Sequence, residues 1–274
     1  MTSGIFQHQY QEERGIVPAE ATQFIYEVIR VKEGHPLFLQ EHLDRLSQSH
    51  QLVYEGELPE REAICQDCFQ LIEQEAIGNQ NIRIEVFYQP EFQVGVFAVA
   101  SSYPSLEMVK EGVRLITINA TREDPHAKVD PRAFRKNILI EMKKRDAFEA
   151  ALVDKEGKLT EGTRSNLFFV SGDTVYTSPG EKVLLGITRM MVVKACDSLG
   201  ILVREEGISA KELGKVDAAF MTGTSVDVLP ISYLDQDHLD SASHPIVKRI
   251  RDAYLSLCKE DTERESKPCA DDSN

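Results

Sequence analysis

The chain has 274 residues, of which 42% are hydrophobic, and a formal net charge of -14 at pH 7. That charge argues against nucleic acid as a partner, because phosphate backbones are bound by basic surfaces. No apolar run reaches the roughly 20 residues that cross a bilayer, so no membrane partner is expected. The first 15 residues lack the basic and apolar segments of a secretion signal, and a cytoplasmic location is therefore expected.

The first half of the chain is typical of an α+β domain. Residues QFIYEVIRVK (23–32) alternate as in a strand, and LQEHLDRLSQSHQL (39–52) has the spacing of an amphipathic helix. The pattern predicts a smaller N-terminal domain over 1–119. Its other predicted elements are a helix at about 59–77 and strands at 82–88, 92–100 and 113–119.

The segment ATREDPHAKVDP (120–131) interrupts this pattern. It is polar, carries two prolines and has no periodicity, which is typical of an interdomain linker. Beyond it we predict a larger C-terminal α+β domain over 132–258 and an acidic, disordered tail over 259–274. The elements predicted in this half are helices at 133–147, 186–200 and 243–260 and strands near 148–154, 166–170, 174–177 and 218–223.

The five cysteines are irregularly spaced, which does not predict a disulfide framework. Cys65 and Cys68 form a C-x-x-C pattern, but it falls inside PEREAICQDCFQLIEQEAI, where apolar residues recur at helical spacing. No second Cys or His pair stands at ligand spacing. We therefore expect helix cysteines rather than a redox pair, and we predict no metal site.

Glu161 lies in LTEGTRSNLFFV, at a predicted reversal between the strands at 148–154 and 166–170. The ordinary interpretation is a solvated turn acid, because glutamate is rarely buried without a partner. The alternative is that the carboxylate points inward and meets a cation that is not part of the chain. The small residues around it would then leave room for a flat ligand.

Four other segments could bind an anion or carry a reactive amine. In GITR a loop enters a helix, so the amides of Ile187 and Thr188 could bind phosphate. TGTS (222–225) ends a predicted strand with hydroxyls and a glycine. Arg45 lies in EHLDRL on a predicted helix, and Lys128 lies in PHAKV. Each segment alone is weak evidence for a binding or catalytic site, because helix starts, surface arginines and linker lysines are common.

Together, in this order and at these separations, the segments resemble the class IV aminotransferases, the fold-type IV enzymes that use pyridoxal 5'-phosphate (PLP). That family includes branched-chain and D-amino acid aminotransferases and 4-amino-4-deoxychorismate lyase. The resemblance runs from about residue 26 to 235, and its strongest block is EAALVDKEGKLTEGTRSNLFFV. It implies a two-domain α+β fold with the cofactor between the domains, amino acid and keto acid substrates, and a homodimer.

The resemblance also implies a role for each matched residue. Lys128, which stands 21 residues before Glu149, matches the lysine that binds the cofactor covalently, and Glu161 matches the acid that pairs with the pyridine nitrogen. The other implied contacts are Arg45, Ile187, Thr188, Thr224 and Ser225 around the phosphate, with Tyr26, Arg30 and Arg83 as tentative residues of the substrate pocket.

This resemblance gives Glu161 a physical purpose. PLP draws electrons from the α-carbon of the substrate, and it does so strongly only while its ring nitrogen keeps a proton. A neighbouring carboxylate favours that charged form. Lys128, once displaced by the substrate amine, could act as general base and acid at the α-carbon.

Three departures from the family pattern leave the substrate open. EATQFIYE replaces a Gly-Asp-Gly approach to the first strand, and the strands at 82–100 lack the RG-x-x-x-R segment with which D-amino acid aminotransferases hold the substrate carboxylate. KVDPRAFRKN differs from the usual continuation after the family lysine, which makes Lys136 a rival to Lys128. We predict transamination of a branched-chain L-amino acid, with the lyase reaction, D-amino acid transamination or a catalytically inactive binding protein as alternatives.

Overall fold

The computed structural model describes residues 3–11, 24–54, 56–88, 92–120 and 132–264. Its backbone divides into two compact units. Among the described residues, unit 1 contains those up to Ser102 and those from Cys258 onward, and unit 2 contains Tyr103 to Leu257. No helix in these described ranges is long and apolar enough to span a bilayer.

Unit 1 is an antiparallel sheet covered by two helices. Its elements are strands β1 (Gly4–Phe6), β2 (Gln9–Gln11), β3 (Phe24–Lys32), β4 (His35–Pro36), β5 (Asn79–Phe87) and β6 (Gln93–Val99) and helices α1 (Leu39–Tyr54) and α2 (Arg61–Gln74). The strand order is β2-β1-β6-β5-β3-β4. Alternate side chains of β3, including Ile25 and Ile29, pack with Leu43 and Leu46 of α1 in one apolar core, because successive side chains of a strand point to opposite faces.

Unit 2 is built on a larger sheet. Its strands are β7 (Val113–Asn119), β8 (Glu149–Val153), β9 (Leu159–Gly162), β10 (Asn166–Ser171), β11 (Thr174–Thr177), β12 (Leu202–Glu205), β13 (Ala218–Gly223), β14 (Asp227–Leu234) and β15 (Asp237–His238). Its helices are α3 (Leu106–Glu111), α4 (Arg132–Lys144), α5 (Ile187–Ser198) and the greater part of α6 (Pro245–Glu263), of which the residues from Cys258 onward belong to unit 1. The strand order is β12-β11-β10-β13-β14-β7-β8-β9, with β15 paired to β14.

The sheet of unit 2 closes on itself. Strand β9 pairs with β8 and also with β10, through Glu161 and Asn166, so the six strands from β10 through β13, β14, β7, β8 and β9 form a circuit. Side chains from all six strands, among them Leu167, Met221 and Leu229, meet in a common core. This closure brings the turn between β9 and β10 beside the end of β13.

Most elements predicted from periodicity are present, but the division of the chain differs from the predicted domains. Residues 103–119, assigned above to the N-terminal domain, belong to unit 2, because β7 pairs with both β8 and β14. The predicted tail over 259–274 begins inside a helix, since α6 continues to Glu263, and residues 265–274 lie outside the described residues. The predicted linker over 120–131 also lies outside them, except for Ala120.

Helix α2 contains the C-x-x-C pair, and both cysteines are buried. Cys68 is a free thiol, and burial raises its pKa. Cys65 takes part in a disulfide, which the irregular cysteine spacing does not predict. The predicted helical setting of the pair is therefore present, with both cysteines buried in α2.

Candidate active site

Glu161 lies in β9, directly before the turn into β10. This residue is only 3% exposed, and its Oε2 accepts a hydrogen bond from the backbone N–H of Leu184 at 3.1 Å. The interpretation as a solvated turn acid is therefore wrong. A carboxylate that has lost its hydration needs donors or a cation in exchange, and Leu184 supplies one such donor.

Asn166 is the first residue of β10 and pairs with Glu161 on the neighbouring strand. Its Nδ2 donates a hydrogen bond to the carbonyl oxygen of Leu184 at 2.8 Å. Its Oδ1 lies against Gly186, where an added Cβ would overlap it. Asn166 therefore contacts both ends of the short segment from Leu184 to Gly186, which leads into α5.

The turn between Glu161 and Asn166 is supported by a second buried acid, Glu149 of β8. Its side chain is fully buried, and its Oε1 accepts hydrogen bonds from the N–H and hydroxyl of Thr163 at 3.2 and 2.6 Å. Gly162 packs directly on this acid, because an added Cβ would lie 3.1 Å from Cγ of Glu149 and would overlap the hydroxyl of Ser165. A side chain at this position would require Ser165 and Glu149 to shift.

Helix α5 begins without a side-chain cap from its N-cap residue. Gly186 is the N-cap residue and makes no side-chain cap, so the first amides of this 12-residue helix lack partners within the helix. Ile187 and Thr188 are buried at this end. Backbone amides and the positive end of the helix dipole together favour an anion such as phosphate.

Arg189 secures the loop that precedes α5. It is buried, its Nη2 donates to the carbonyl oxygen of Ser178 at 3.2 Å, and the same atom lies 3.1 Å from a carboxylate oxygen of Glu205 in β12. These contacts fasten the beginning of the loop while Asn166 and Glu161 hold its end. The loop that supplies Leu184 is thereby fixed at both sides.

Thr224 and Ser225 lie in the turn between β13 and β14, which is closed by a hydrogen bond from the N–H of Val226 to the carbonyl oxygen of Gly223 at 3.0 Å. Both are partly buried. An added Cβ on Gly223 would lie 3.3 Å from the carbonyl oxygen of Arg164, so this turn adjoins the one between β9 and β10. The two hydroxyl-bearing residues are thus near the turn that follows Glu161.

Thr222 precedes this turn and pairs with Asn166 across the strands, so the two side chains share a face. Its hydroxyl is buried and has no hydrogen-bond partner in the described part of the chain. A buried hydroxyl in that state costs about 1–3 kcal/mol. A polar group from outside the described residues would remove this cost.

Arg45 of unit 1 is held by a buried acid. Its Nε donates to Oε1 of Glu27 at 2.8 Å and its Nη2 to Oε2 at 2.6 Å, while Nδ1 of His42 lies 2.7 Å from Oε2. Burial alone raises the pKa of Glu27, but the charge of Arg45 and the hydrogen bonds of both partners outweigh it and hold the pKa well below its usual range. The predicted phosphate contact of Arg45 stays a prediction.

The tentative pocket residues Tyr26, Arg30 and Arg83 share one face of the sheet of unit 1, because Tyr26 and Arg30 are four residues apart and Arg83 pairs with Val28 between them. The guanidinium carbon of Arg83 lies 4.2 Å from the ring centre of Tyr26, and its Nε lies 2.7 Å from Glu85. The opposite face carries the apolar residues that pack on α1.

Lys128 lies outside the described residues. Its rival, Lys136, is an exposed residue of α4. The structure therefore brings the predicted residues of unit 2 together at neighbouring turns. The assignment of Lys128 as the catalytic lysine continues to rest on the family resemblance.

The sequence prediction did not include Asn166, Leu184 or the supporting role of Glu149, and it named Thr222 only as part of the TGTS segment. Asparagine is common in turns, so its presence at position 166 did not indicate a role in the site. Leu184 contributes backbone atoms only, and its side-chain identity indicates nothing about that role.

The comparison with protein families decides the classification. The family model for amino-transferase class IV matches residues 24–234, which is most of the chain. The chain belongs to the class IV aminotransferase family. The predicted resemblance and the two-domain α+β, fold-type IV fold are thereby confirmed.

Individual relatives of this class IV aminotransferase carry different names. It is 29% identical over 258 residues to the D-alanine aminotransferase of Bacillus licheniformis, covering 87% of this chain and 88% of the relative. It is 27% identical over 251 residues to branched-chain-amino-acid aminotransferase-like protein 2 of Arabidopsis thaliana, covering 85% of this chain but 45% of that longer protein.

Two solved structures agree closely in fold. The branched-chain aminotransferase of the archaeon Thermoproteus uzoniensis, solved with norvaline, is 22% identical, covers 96% of this chain and 97% of its own, and superposes with a TM-score of 0.83. A hypothetical aminotransferase from Mycobacterium tuberculosis in its PLP-bound form is 16% identical, covers 95% of this chain and 100% of its own, and has a TM-score of 0.80. At these identities the likeness concerns the fold.

Class IV aminotransferases depend on PLP, and the residues of unit 2 fit that group. Glu161 offers a buried acid for a ring cation, and the uncapped start of α5 offers amides for a phosphate. The turn at Thr224 adds hydroxyls, and the hydroxyl of Thr222, which has no partner among the described residues, could accept a polar neighbour.

Proposed function

We propose that this chain transfers an amino group between an amino acid and a 2-keto acid, with a branched-chain L-amino acid as the favoured donor. The observation that carries the proposal is the buried carboxylate of Glu161, fixed by the N–H of Leu184, on the same structural unit as the N-terminus of α5, whose N-cap residue makes no side-chain cap. The proposal is supported by the family and by relatives named for branched-chain amino acids.

PLP, when bound, supplies an electron-withdrawing ring that accepts electrons from the α-carbon of the substrate. The charge of Glu161 would hold the proton on the ring nitrogen, because an adjacent anion stabilises the protonated form by about 1.4 kcal/mol per pKa unit. The amides of Ile187 and Thr188 would bind the phosphate, with the hydroxyls of Thr224 and Ser225 beside them.

Lys128 would attach the cofactor and move the proton at the α-carbon as general base and acid. This role, like the phosphate contact of Arg45, rests on the family resemblance. Lys136 is the alternative lysine, and its exposed position on α4 does not favour it, because a catalytic amine works with a depressed pKa in a desolvated setting.

D-amino acid transamination is a second candidate, favoured by the similarity to the D-alanine aminotransferase over most of both chains. The absence of an RG-x-x-x-R segment argues against it. Arg83, an arginine on the predicted pocket face, lies against Tyr26 and Glu85, so one cation is already engaged there. The branched-chain donor therefore stays the first proposal.

The experiment is a steady-state assay of the purified protein with L-leucine, L-isoleucine, L-valine and D-alanine, each paired with 2-oxoglutarate, beside an aminodeoxychorismate assay. The proposal predicts the highest kcat/KM with a branched-chain L-amino acid. A dominant D-alanine or lyase activity would assign the chain to that reaction instead.

A second measurement tests the lysine. Borohydride reduction should fix the cofactor to Lys128, which peptide mass mapping would locate. Lys128→Ala should abolish turnover and Lys136→Ala should retain it. Label on Lys136 would reverse the assignment.

We propose further that the chain forms a homodimer, as the resemblance implies, and sedimentation velocity of the purified protein would test this. A monomer at working concentration would contradict it.

A further inference from the structure

Asn166 holds the two halves of the candidate cofactor site together. On one side it pairs with Glu161 across neighbouring strands. On the other it donates to the carbonyl oxygen of Leu184 at 2.8 Å, while the N–H of Leu184 donates to Glu161 at 3.1 Å. One residue of the loop is thus bound by both side chains.

The side chain of Asn166 also packs against the residue that precedes α5. Its Oδ1 lies so close to Gly186 that an added Cβ would overlap it, and Gly186 is the N-cap residue of that helix. The segment that links Glu161 to the first amides of α5 is therefore held at two points. Leu184 is held by hydrogen bonds to Glu161 and Asn166, and Gly186 is held by close packing against Asn166. Asn166 itself is only 5% exposed.

From this arrangement we infer that Asn166 is a positioning residue, which sets the span between the acid for the ring nitrogen and the helix amides for the phosphate. The inference rests on the proposed use of PLP. A rigid ligand that bridges two sites gains affinity only when their separation matches its own length. Asn166 would fix that separation through its contacts with Leu184 and Gly186.

The first test measures three ligands on the apo-protein: PLP, pyridoxine as the ring without phosphate, and inorganic phosphate. Asn166→Ala should weaken PLP about tenfold, equivalent to about 1.4 kcal/mol, while the affinities for the two fragments change little. Equal weakening of all three ligands, or unchanged PLP affinity, would overturn the inference.

The second test is a double-mutant cycle, which measures direct coupling between residues in contact. Gly186→Ala should lower the thermal unfolding temperature of the apo-protein, because its Cβ meets Oδ1 of Asn166. Adding Asn166→Ala removes that overlap, so the double variant should be less destabilised than the sum of the two single changes. Additive effects would contradict the contact.

Gly214→Ala is the matched control, because Gly214 lies in the same unit and no atom would lie within 4 Å of its added Cβ. It should behave as the parent does in both tests. The unfolding cycle needs no cofactor, so it tests the contact between Asn166 and Gly186 even if the parent protein binds no PLP. A parent that binds no PLP would defeat the proposed function, whereas a parent that binds PLP no better than Asn166→Ala does would defeat the positioning role alone.

Discussion

Glu161 and Asn166, paired across β9 and β10, bind the two backbone groups of a single residue. Glu161 accepts from the N–H of Leu184 and Asn166 donates to its carbonyl oxygen. The buried acid is therefore positioned by strand pairing and by a loop that is itself secured by Arg189. Such rigid support is what a catalytic charge requires, because its orientation must precede the reaction.

Glu161→Gln tests the charge without changing the shape of the side chain. The amide oxygen can still accept from Leu184, but it cannot stabilise a protonated ring nitrogen. Loss of one preorganised electrostatic group typically lowers kcat by about 10²–10³, and we expect a loss in that range in the transamination assay. Exposed Glu212→Gln should keep parental turnover, and a Glu161→Gln variant with parental kcat would refute the role of the acid.

Gly162→Ala tests the close packing of the turn on Glu149. The new Cβ would overlap the hydroxyl of Ser165, and such overpacking typically costs about 1–3 kcal/mol. We expect a lower urea midpoint and weaker PLP binding, since the turn carries Glu161 and Asn166. Adding Ser165→Ala should recover part of the stability, and a Gly162→Ala variant as stable as the parent would show that the turn is not tightly packed.

Thr222→Val removes a buried hydroxyl that has no partner among the described residues. In the apo-protein this nearly isosteric change should raise stability by about 1 kcal/mol. In the presence of PLP it should lower cofactor affinity several-fold, while Thr222→Ser retains it. Calorimetry of both forms would measure the two effects, and unchanged PLP affinity in Thr222→Val would show that the hydroxyl has no role in the bound state.

The buried pair of Glu27 and Arg45 predicts a pH dependence of stability. The pKa of Glu27 is depressed in the folded state, so its contribution is fully present above the unfolded pKa of about 4.3 and is lost as the pH falls below it. Glu27→Gln leaves Arg45 buried without its anion, which typically costs about 3–5 kcal/mol near neutral pH.

Below about pH 4.3 the stability difference between parent and Glu27→Gln should narrow, by at most about 1.4 kcal/mol per pH unit. Urea unfolding of both proteins at pH 7, 5, 4 and 3 measures it. A difference that stays constant across this range would show that Glu27 is not held ionised by its partners.

The local sequence pattern predicted those helices and strands whose formation depends on residues close together in the chain. Strand β11 and helices α1 and α5 follow from periodicity, because their apolar residues recur at the spacing of one buried face. Glu161 was identifiable only through the order of several weak segments, since a glutamate in a polar stretch has no distinctive local pattern.

Features that depend on distant pairing were not predictable in this way. Strand β14 contains Pro230, which argues against a strand locally, yet it pairs with β13 on one side and β7 on the other. The same long-range pairing assigns β7 to unit 2. The link from Asn166 to Leu184 joins residues 18 apart through a loop, and no periodicity reports such a contact.

The protonation of the cofactor ring tests the central claim most directly. Nitrogen-15 NMR of the protein reconstituted with ring-labelled PLP would report whether the ring nitrogen carries a proton. We predict a protonated nitrogen in the parent protein at neutral pH and an unprotonated one in Glu161→Gln. An unprotonated nitrogen in the parent, or the same protonated signal in both proteins, would contradict the role given to Glu161.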